Sequence, residues 1–317
     1  MELFERVKAL GRAGRPHEGI ALVERAAANG DPEACVILAH WHLYGTDRPR
    51  NAGAAYGLLE HAHHKGNTLA ARILANLTAN GTGCQADPRK ALEVLRSIAG
   101  VDPAAEAQLA VLERAMTLQE KNADREQLSI DPHIEIVRKL LLPDECEYLM
   151  RIAEPSLKPS FIFDAATGAG KPDPIRTSDG ASFLPHDEDL VVQAINRRIA
   201  VATGTHVRDA EALYVMRYSL GQEYKPHLDA LPGLQQQRAW TAIAYLNGDY
   251  GGGATEFTEL SISVRGQAGD LLIFRNIHED GRADARVRHT GRPVTAGVKW
   301  IGTRWIRQGQ HDPYGRG

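Results

Sequence analysis

Residues 218–229 read YSLGQEYKPHLD, and the end of this stretch places His227 and Asp229 two positions apart. In a β-strand, side chains two positions apart project from the same face. His227 and Asp229 could therefore offer an imidazole and a carboxylate to one metal ion. Two histidines and one carboxylate leave coordination positions open, a pattern typical of non-haem iron(II) oxygenases. His289, which follows a predicted strand and loop, is the candidate third ligand.

The His-x-Asp spacing alone is not specific, because residues 278–280 read HED and have the same form. This second copy lies in a stretch rich in Gly and Asp that favours a surface turn. Its downstream histidine, His289, follows too closely to lie on an opposite strand. The surroundings of His227 must therefore distinguish it from His278.

The C-terminal half has the pattern of a domain built mainly of β-strands, with two helices. Residues 134–137 indicate a strand, and helices are predicted from Pro143 and over residues 187–202. From Ala212 onward, short apolar runs alternate with Gly-rich turns, as in residues 240–246 and 298–306. Strands at this spacing indicate an antiparallel sandwich or barrel.

The N-terminal third is rich in Ala and Leu and repeats itself every 36 residues. We predict a solenoid of helix pairs, about six or seven helices in all. The polar stretch 122–127 is predicted to be a linker or the end of the last helix. We place the domains at residues 1–122 and 123–317. The matched positions are Gly30 and Gly66, Ala34 and Ala70, Leu38 and Leu74, Gly45 and Gly81, and Ala55 and Ala91.

This periodic segment resembles Sel1-like repeats, a branch of the tetratricopeptide family, over roughly residues 15–100. The resemblance implies a surface that binds a peptide or protein. A structural cap for the C-terminal domain is the alternative. Five histidines cluster on these repeats without a carboxylate or cysteine at ligand spacing, and we interpret them as a solvated helix face. They are His40, His42, His61, His63 and His64.

The bulk properties exclude several classes of function. The chain has 317 residues and a net charge of −3, which does not favour binding to nucleic acid. It has no apolar run long enough to span a membrane, and its first residues do not form a signal or transit peptide. The three cysteines are far apart, so we expect neither a disulfide framework nor a thiolate zinc site. A cytoplasmic location is expected.

The surroundings of His227 resemble the prolyl 4-hydroxylase branch of the 2-oxoglutarate-dependent oxygenases, over roughly residues 132–308. The resemblance implies a double-stranded β-helix, which is a jelly-roll or cupin-like fold, with flanking helices. One departure is Ala254, which stands where the family has Glu in a Gly-Gly-Glu-Thr turn. The matching stretches are residues 176–180, 218–229, 245–247, 252–255, 269–274, 280–281, 293–294, 299–300 and 305–306, with Asp284, His289 and Gly297.

The resemblance also implies roles for individual residues. It assigns metal binding to His227, Asp229 and His289. It assigns Lys299 to the distal carboxylate of 2-oxoglutarate. The other residues implied near this co-substrate are Tyr218, Thr241 and Tyr245. The residues implied near the substrate are Tyr224, Arg238, Trp305 and Arg176.

These resemblances predict an iron(II)- and 2-oxoglutarate-dependent dioxygenase that uses O2, with ascorbate as a candidate reductant. The expected reaction is hydroxylation of a prolyl residue in a peptide or protein recruited by the repeats. The alternative substrates are a free amino acid, a natural-product intermediate or another peptide residue. The remaining hypothesis is a non-enzymatic adaptor that binds partners through the repeats.

Overall fold

The computed structural model describes residues 3–118, 124–163 and 170–315. It divides into two compact units. The repeat unit comprises the described residues within Met1–Met116, Leu184–Gln193 and Tyr314–Gly317, and the sheet unit comprises those within Thr117–Phe183 and Ala194–Pro313. The predicted domain boundary, between residues 122 and 123, lies outside the described residues. Within the described part of the chain, no helix is both long and apolar enough to cross a membrane.

Seven helices form the N-terminal part of the repeat unit, as the sequence predicts. Successive helices pack in pairs around fully buried alanines and leucines such as Ala39, Leu59 and Ala70. The small alanines allow the helix backbones to approach closely. The helices are α1 Leu3–Arg12, α2 Pro16–Ala28, α3 Pro32–Tyr44, α4 Ala52–His64, α5 Thr68–Asn80, α6 Pro88–Ile98 and α7 Pro103–Leu118.

The 36-residue period is confirmed in the helix bounds and in their caps. Helices α3 and α5 begin at residues 32 and 68, and α4 and α6 begin at residues 52 and 88. Asp31 and Asn67 each cap a following helix by accepting a hydrogen bond from the backbone amide three residues on. Both helices then end on a left-handed glycine, Gly45 or Gly81.

The segment Leu184–Gln193 packs on the repeats, although the neighbouring sequence belongs to the sheet unit. On α5, Asn76 donates a hydrogen bond to the carbonyl of His186 at 2.8 Å, and Asn80 donates to that of Pro185 at 2.9 Å. Leu190 completes an apolar cluster with the alanines of α5 and α6. Side-chain amides on this face of α5 therefore hold the backbone of the chain's own segment.

The interpretation of the repeat histidines as a uniformly solvated face is wrong for His40. Its ring centroid lies 5.0 Å from that of His186, which is 4% exposed. His186 also lies within hydrogen-bond distance of Tyr44 and of Tyr314, at 3.2 Å and 3.0 Å. Packing by a segment distant in sequence thus partly buries His40, which the repeat pattern alone leaves on the surface.

Among its described residues, the sheet unit has two two-stranded sheets, which join residues 251–252 to 294–296 and residues 161–163 to 170–172, and two main antiparallel sheets. The larger has the order β1-β2-β13-β9-β16-β7-β6-β3 and the smaller the order β12-β11-β14-β8, which together form the predicted jelly roll. The strands are β1 Asp124–Ser129, β2 Ile134–Arg138, β3 Lys158–Pro159, β4 Phe161–Phe163, β5 Gly170–Pro172, β6 Asp179–Phe183, β7 Leu213–Tyr218, β8 Tyr224–His227, β9 Arg238–Tyr245, β10 Gly251–Gly252, β11 Thr255–Phe257, β12 Ile262–Val264, β13 Leu271–Arg275, β14 His289–Gly291, β15 Val294–Ala296 and β16 Lys299–Arg307.

The predicted helices of the C-terminal half are confirmed as α8 Pro143–Ala153 and α9 Leu190–Thr203. One core joins the inner faces of the two sheets, with Ile136 and Phe274 from the larger sheet and Phe257 and Val264 from the smaller. The phenyl rings of Phe257 and Phe274 meet edge to face, with centroids 5.1 Å apart. This core lies directly beneath the candidate metal ligands.

The predicted linker at residues 122–127 is corrected by the structure. Residues 122 and 123 lie outside the described part of the chain, but residues 124–127 belong to β1. This strand pairs antiparallel with β2, although its first four residues are exposed. Its place in the sheet therefore depends on backbone hydrogen bonds rather than on an apolar face.

Candidate active site

Two neighbouring strands of the smaller sheet bring the candidate histidine ligands together. His227 ends β8 and His289 begins β14, and they are direct partners in the antiparallel register. Side chains of directly paired residues lie on the same face of a sheet at close range. The two imidazole centroids are 4.2 Å apart. The register thus gives the pairing that the sequence suggested but could not establish.

Asp229 reaches the same point by a different route from the one predicted. Strand β8 ends at His227, and Asp229 lies in a bend just beyond it. Asp229 Oδ1 is 3.5 Å from His227 Nε2, and Oδ2 is 3.7 Å from His289 Nε2. The three ligand atoms lie within 4.8 Å of one another, and all three residues are buried. They form a compact donor set for one metal ion.

Backbone contacts orient both imidazoles. His227 Nδ1 is 2.8 Å from the carbonyl oxygen of Lys225, and His289 Nδ1 is 3.0 Å from that of Val287. A carbonyl can only accept, so each Nδ1 carries the proton and each Nε2 keeps its lone pair toward the centre of the triad. Both histidines are therefore held in the tautomer that a metal ligand needs.

The protonation states of the triad suit metal binding. Burial lowers the pKa of His289 to about 4, although the charge of Asp229 opposes this shift, so the ring is neutral at neutral pH. Burial by itself disfavours the charged form of Asp229. The neighbouring imidazoles of His227 and His289 and the hydrogen bond from Thr241 outweigh it and hold the pKa of Asp229 well below its ordinary value. The site presents a neutral His289 imidazole and an ionised Asp229 carboxylate.

Lys299 is a buried cation without an anionic partner among the described residues. It is 3% exposed, and its Nζ donates a hydrogen bond to the carbonyl of Gly253 at 2.7 Å. The rings of Tyr218, Tyr245 and Tyr250 surround it, with centroids 5.6 to 6.0 Å from Nζ. Burial lowers the pKa of Lys299 to about 7. An ammonium in such a place fits an anionic ligand that enters the cavity.

A single cavity joins the triad to Lys299. It has a volume of about 380 Å³, including its open mouth. Alternate positions of β16 line one wall, because side chains two apart share a face of the strand. The described residues around this cavity are Met216, Tyr218, Tyr224, His227, Asp229, Ile243, Thr255, His289, Gly291, Lys299, Ile301, Thr303 and Trp305.

Of the three residues expected near the co-substrate besides Lys299, one lines the cavity and two lie behind its wall. Tyr218 lines the cavity and is the direct strand partner of Lys299. Thr241 and Tyr245 are not among the residues that line it. The Thr241 hydroxyl donates to Asp229 Oδ2 at 2.6 Å, and the Tyr245 hydroxyl donates to Thr255 at 2.9 Å. Both side chains thus support residues that face the cavity.

The residues expected near the substrate lie around the mouth in two groups. The ring of Tyr224 stacks on His227, with centroids 3.5 Å apart, and the Arg176 guanidinium lies over the outer part of this stack, 5.6 Å from the Tyr224 centroid. Trp305 lines the cavity, and the Arg238 guanidinium lies 4.1 Å from its ring centroid. The structure thus places two aromatic side chains on the cavity wall with an arginine against each.

Sequence reasoning missed two residues that shape this site. Glu211 binds Arg238 through two hydrogen bonds, to Nε at 2.6 Å and to Nη2 at 2.7 Å, so this arginine is already paired. Asn276 donates from Nδ2 to the Thr241 hydroxyl at 2.8 Å. The one feature of the sequence that could have indicated Asn276 is its position as a polar residue directly after an apolar strand. No sequence pattern indicates Glu211.

The comparison with known proteins agrees with this site. A sequence model of the 2OG-Fe(II) oxygenase superfamily matches residues 213–307, which include the triad and Lys299. Prolyl 4-hydroxylase 1 of Arabidopsis thaliana is 37% identical over 207 residues, covering 59% of this chain and 73% of that protein. The chain belongs to the prolyl 4-hydroxylase family. It is a 2-oxoglutarate-dependent dioxygenase whose cofactors are iron(II) and 2-oxoglutarate, with O2 as co-substrate.

Two solved structures align with parts of this prolyl 4-hydroxylase family member. A viral collagen prolyl hydroxylase from Paramecium Bursaria Chlorella virus-1, in a 2OG complex, aligns at 24% identity and a TM-score of 0.45, covering 55% of this chain and 95% of the viral chain. A Sel1 repeat protein from Oxalobacter formigenes aligns at 23% identity and a TM-score of 0.31, covering 34% of this chain and 85% of that one.

The residues present fit these cofactors. Two imidazoles and one carboxylate are the donor set that non-haem iron(II) sites use, and this set leaves positions open for further ligands. The uncompensated ammonium of Lys299, at the other end of the same cavity, suits the distal carboxylate of 2-oxoglutarate. The chemistry that the family requires therefore has a place for each component.

Proposed function

We propose that this protein hydroxylates a prolyl residue of a peptide or protein, with His227, Asp229 and His289 as its iron ligands. The observation that carries the proposal is the shared cavity, which has a buried metal-binding triad at one end and the buried ammonium of Lys299 at the other. The similarity to prolyl 4-hydroxylases supports the choice of a prolyl target.

Iron(II) and 2-oxoglutarate, when bound, couple the oxidative decarboxylation of 2-oxoglutarate to hydroxylation of an unactivated C–H bond. Within the protein, Lys299 would hold the distal carboxylate and so set the orientation of the co-substrate. Removing one partner of such a desolvated pair costs about 2–5 kcal/mol. Met216, Ile243 and Ile301 on the cavity wall would limit the access of water.

Side chains on the cavity wall support a prolyl peptide as the substrate. Tyr224 and Trp305 offer ring faces against which a pyrrolidine ring could pack. The Glu211 carboxylate pairs with the guanidinium groups of both Arg238 and Arg307, so this cluster keeps one net positive charge and offers hydrogen-bonding groups for a peptide backbone. A free amino acid or a natural-product intermediate is the competing substrate class.

An untargeted product search tests this function. Wild-type protein, His227→Ala and His278→Ala are each incubated with a peptide digest of a host lysate, iron(II), 2-oxoglutarate and O2. Mass spectrometry then maps peptides that have gained one oxygen atom. His278, whose side chain is 41% exposed just before a turn, is the matched control. We expect oxygenated prolyl peptides with the wild type and with His278→Ala, and none with His227→Ala.

Two results would contradict the proposal. Oxygenation that survives His227→Ala unchanged would remove the triad from the reaction. Oxygenation confined to residues other than proline, or to small molecules when these are supplied, would keep the enzyme and replace the substrate.

Recruitment of the substrate by the helical repeats is a further part of this proposal. The amide side chains of Asn76 and Asn80 show how α5 can hold the backbone carbonyls of another segment, here a turn. In this structure, the chain's own segment Leu184–Gln193 occupies that face. A recruited substrate would therefore need another repeat surface.

A further inference from the structure

A buried chain of hydrogen bonds ends on the carboxylate of the candidate triad. Asn276 Nδ2 donates to Thr241 Oγ1 at 2.8 Å, and Thr241 Oγ1 donates to Asp229 Oδ2 at 2.6 Å. Asn276 is 1% exposed, Thr241 0% and Asp229 4%. Water cannot replace either partner at this depth, so the contacts are made within the protein.

The direction of this chain is determined by the groups themselves. An ionised carboxylate can only accept, and a hydroxyl has a single hydrogen to donate. Since the Asn276 amide donates to the Thr241 oxygen, the Thr241 hydrogen is left for Asp229 Oδ2. Each donor polarises the next, which strengthens the final hydrogen bond to the carboxylate.

We propose that Thr241 and Asn276 are positioning residues that keep the Asp229 carboxylate a one-oxygen metal ligand. This inference rests on the proposed function, because it takes Asp229 as a ligand. With Oδ2 engaged by Thr241, Oδ1 is the oxygen left for the metal. A carboxylate that bound through both oxygens would take one of the positions that 2-oxoglutarate and O2 need.

The framework around the two residues makes them suitable for this task. Thr241 lies on β9 between Phe274 of β13 and Trp305 of β16, so its backbone is held from both sides. Asn276 follows β13, and its backbone amide donates to Ala239 of β9 at 2.8 Å.

Asn276 also connects the carboxylate to the third ligand. Its carbonyl accepts a hydrogen bond at 2.9 Å from the amide of Asp284, in the loop that leads to His289. The same residue thus contacts both the support of Asp229 and the approach to His289. Because this second contact is made by the backbone, it remains when the side chain of Asn276 is changed, so a substitution there should act on Asp229 through Thr241.

The test compares Thr241→Val with Thr241→Ser in the full chain. Valine keeps the shape of threonine and removes the hydroxyl, whereas serine keeps the hydroxyl. Anaerobic titration with Mn(II) as the probe measures metal affinity, and the affinity of the Mn(II)-loaded protein for 2-oxoglutarate is measured separately. We expect Thr241→Val to weaken Mn(II) binding by about 10-fold or more, the range for partners of metal ligands. Its binding of 2-oxoglutarate should weaken as well, and serine should recover most of both losses.

Asn276 supplies a second variant, should Thr241→Val fold poorly. Asn276→Asp places an acceptor next to Thr241, which draws the hydroxyl hydrogen away from Asp229. We expect it to weaken Mn(II) binding as much as Thr241→Val does. If Asn276 acts through Thr241, the double variant Thr241→Val/Asn276→Asp should be no worse than the more severe single variant.

The outcomes separate this inference from the proposed function. If wild type binds Mn(II), His227→Ala does not, and both Thr241→Val and Asn276→Asp bind it as wild type does, the proposed site stands and the positioning role is overturned. If wild type and His227→Ala bind Mn(II) equally, the triad is not the metal site and both proposals fall. A loss in Thr241→Val that serine does not restore would also overturn the role of the hydroxyl.

Discussion

At the scale of single residues, Lys299 stands out because its buried charge lowers the stability of the ligand-free protein. A buried ammonium without a carboxylate partner among the described residues loses its hydration and gains one carbonyl contact in return. The lowered pKa expresses this cost. We therefore predict that Lys299→Met, which keeps the length of the side chain and removes the charge, stabilises the ligand-free protein by several kcal/mol at pH 6.

The pH dependence of stability provides the measurement. Lys299 has a pKa of about 7 in the folded protein and near 10.5 when unfolded. Between these values the unfolded chain binds the additional proton, so stability rises with pH. Below about pH 7 both states are protonated, and the full cost of the buried charge remains. Urea unfolding from pH 6 to 9 should therefore show a rise attributable to Lys299 that is missing in Lys299→Met.

The exposed Lys158 offers the control, since Lys158→Met should leave this rise intact. If Lys299→Met destabilises the ligand-free protein across the pH range, the ammonium is better compensated than the geometry indicates. In the same variant, binding of 2-oxoglutarate should be lost.

At the scale of elements, the contact between α5 and the segment Leu184–Gln193 is open to a local test. Asn76→Ala leaves the buried carbonyl of His186 without its donor, which should cost about 1–3 kcal/mol. Hydrogen exchange followed by mass spectrometry should show faster exchange of residues 184–193. Asn29→Ala, at an exposed helix end, is the control. Unchanged exchange in Asn76→Ala would show that apolar contacts alone hold the segment.

The elements also show which parts of the structure could be predicted from the sequence. The repeats were predictable because a fixed period repeats both the apolar positions and the caps, as Asp31 and Asn67 show. The metal triad was predictable only together with its surroundings. Strand β1 was not, because its exposed, polar residues carry no alternation.

The features that the sequence did not predict depend on contacts between residues distant in sequence. Thr241 matched a residue near the co-substrate, yet its hydroxyl serves Asp229, a choice that depends on the pairing of β9 with β13 and β16. The burial of His40 depends on His186, which is 146 positions away in the sequence. No local pattern encodes either contact.

At the scale of the whole molecule, recruitment by the repeats makes a kinetic prediction. If the repeats bind a part of the substrate remote from the target proline, trimming the substrate to a short prolyl peptide should raise KM and leave kcat nearly unchanged. Steady-state kinetics of the full chain with long and trimmed forms of one substrate would measure this. Equal KM values would instead support the repeats as a structural cap.

The matching start points of the two helix pairs have a consequence for how such a chain can change over generations. Because α3 to α4 and α5 to α6 begin at matching points of a 36-residue period, an in-frame duplication of that length joins compatible helix ends. A copy gained before Asn67 would leave α5 and its hold on Leu184–Gln193 untouched. A copy gained after Asn80 would separate α5 from α6, which together enclose Leu190. Lengthening of the array should therefore be tolerated toward the N-terminus and selected against at its C-terminal end.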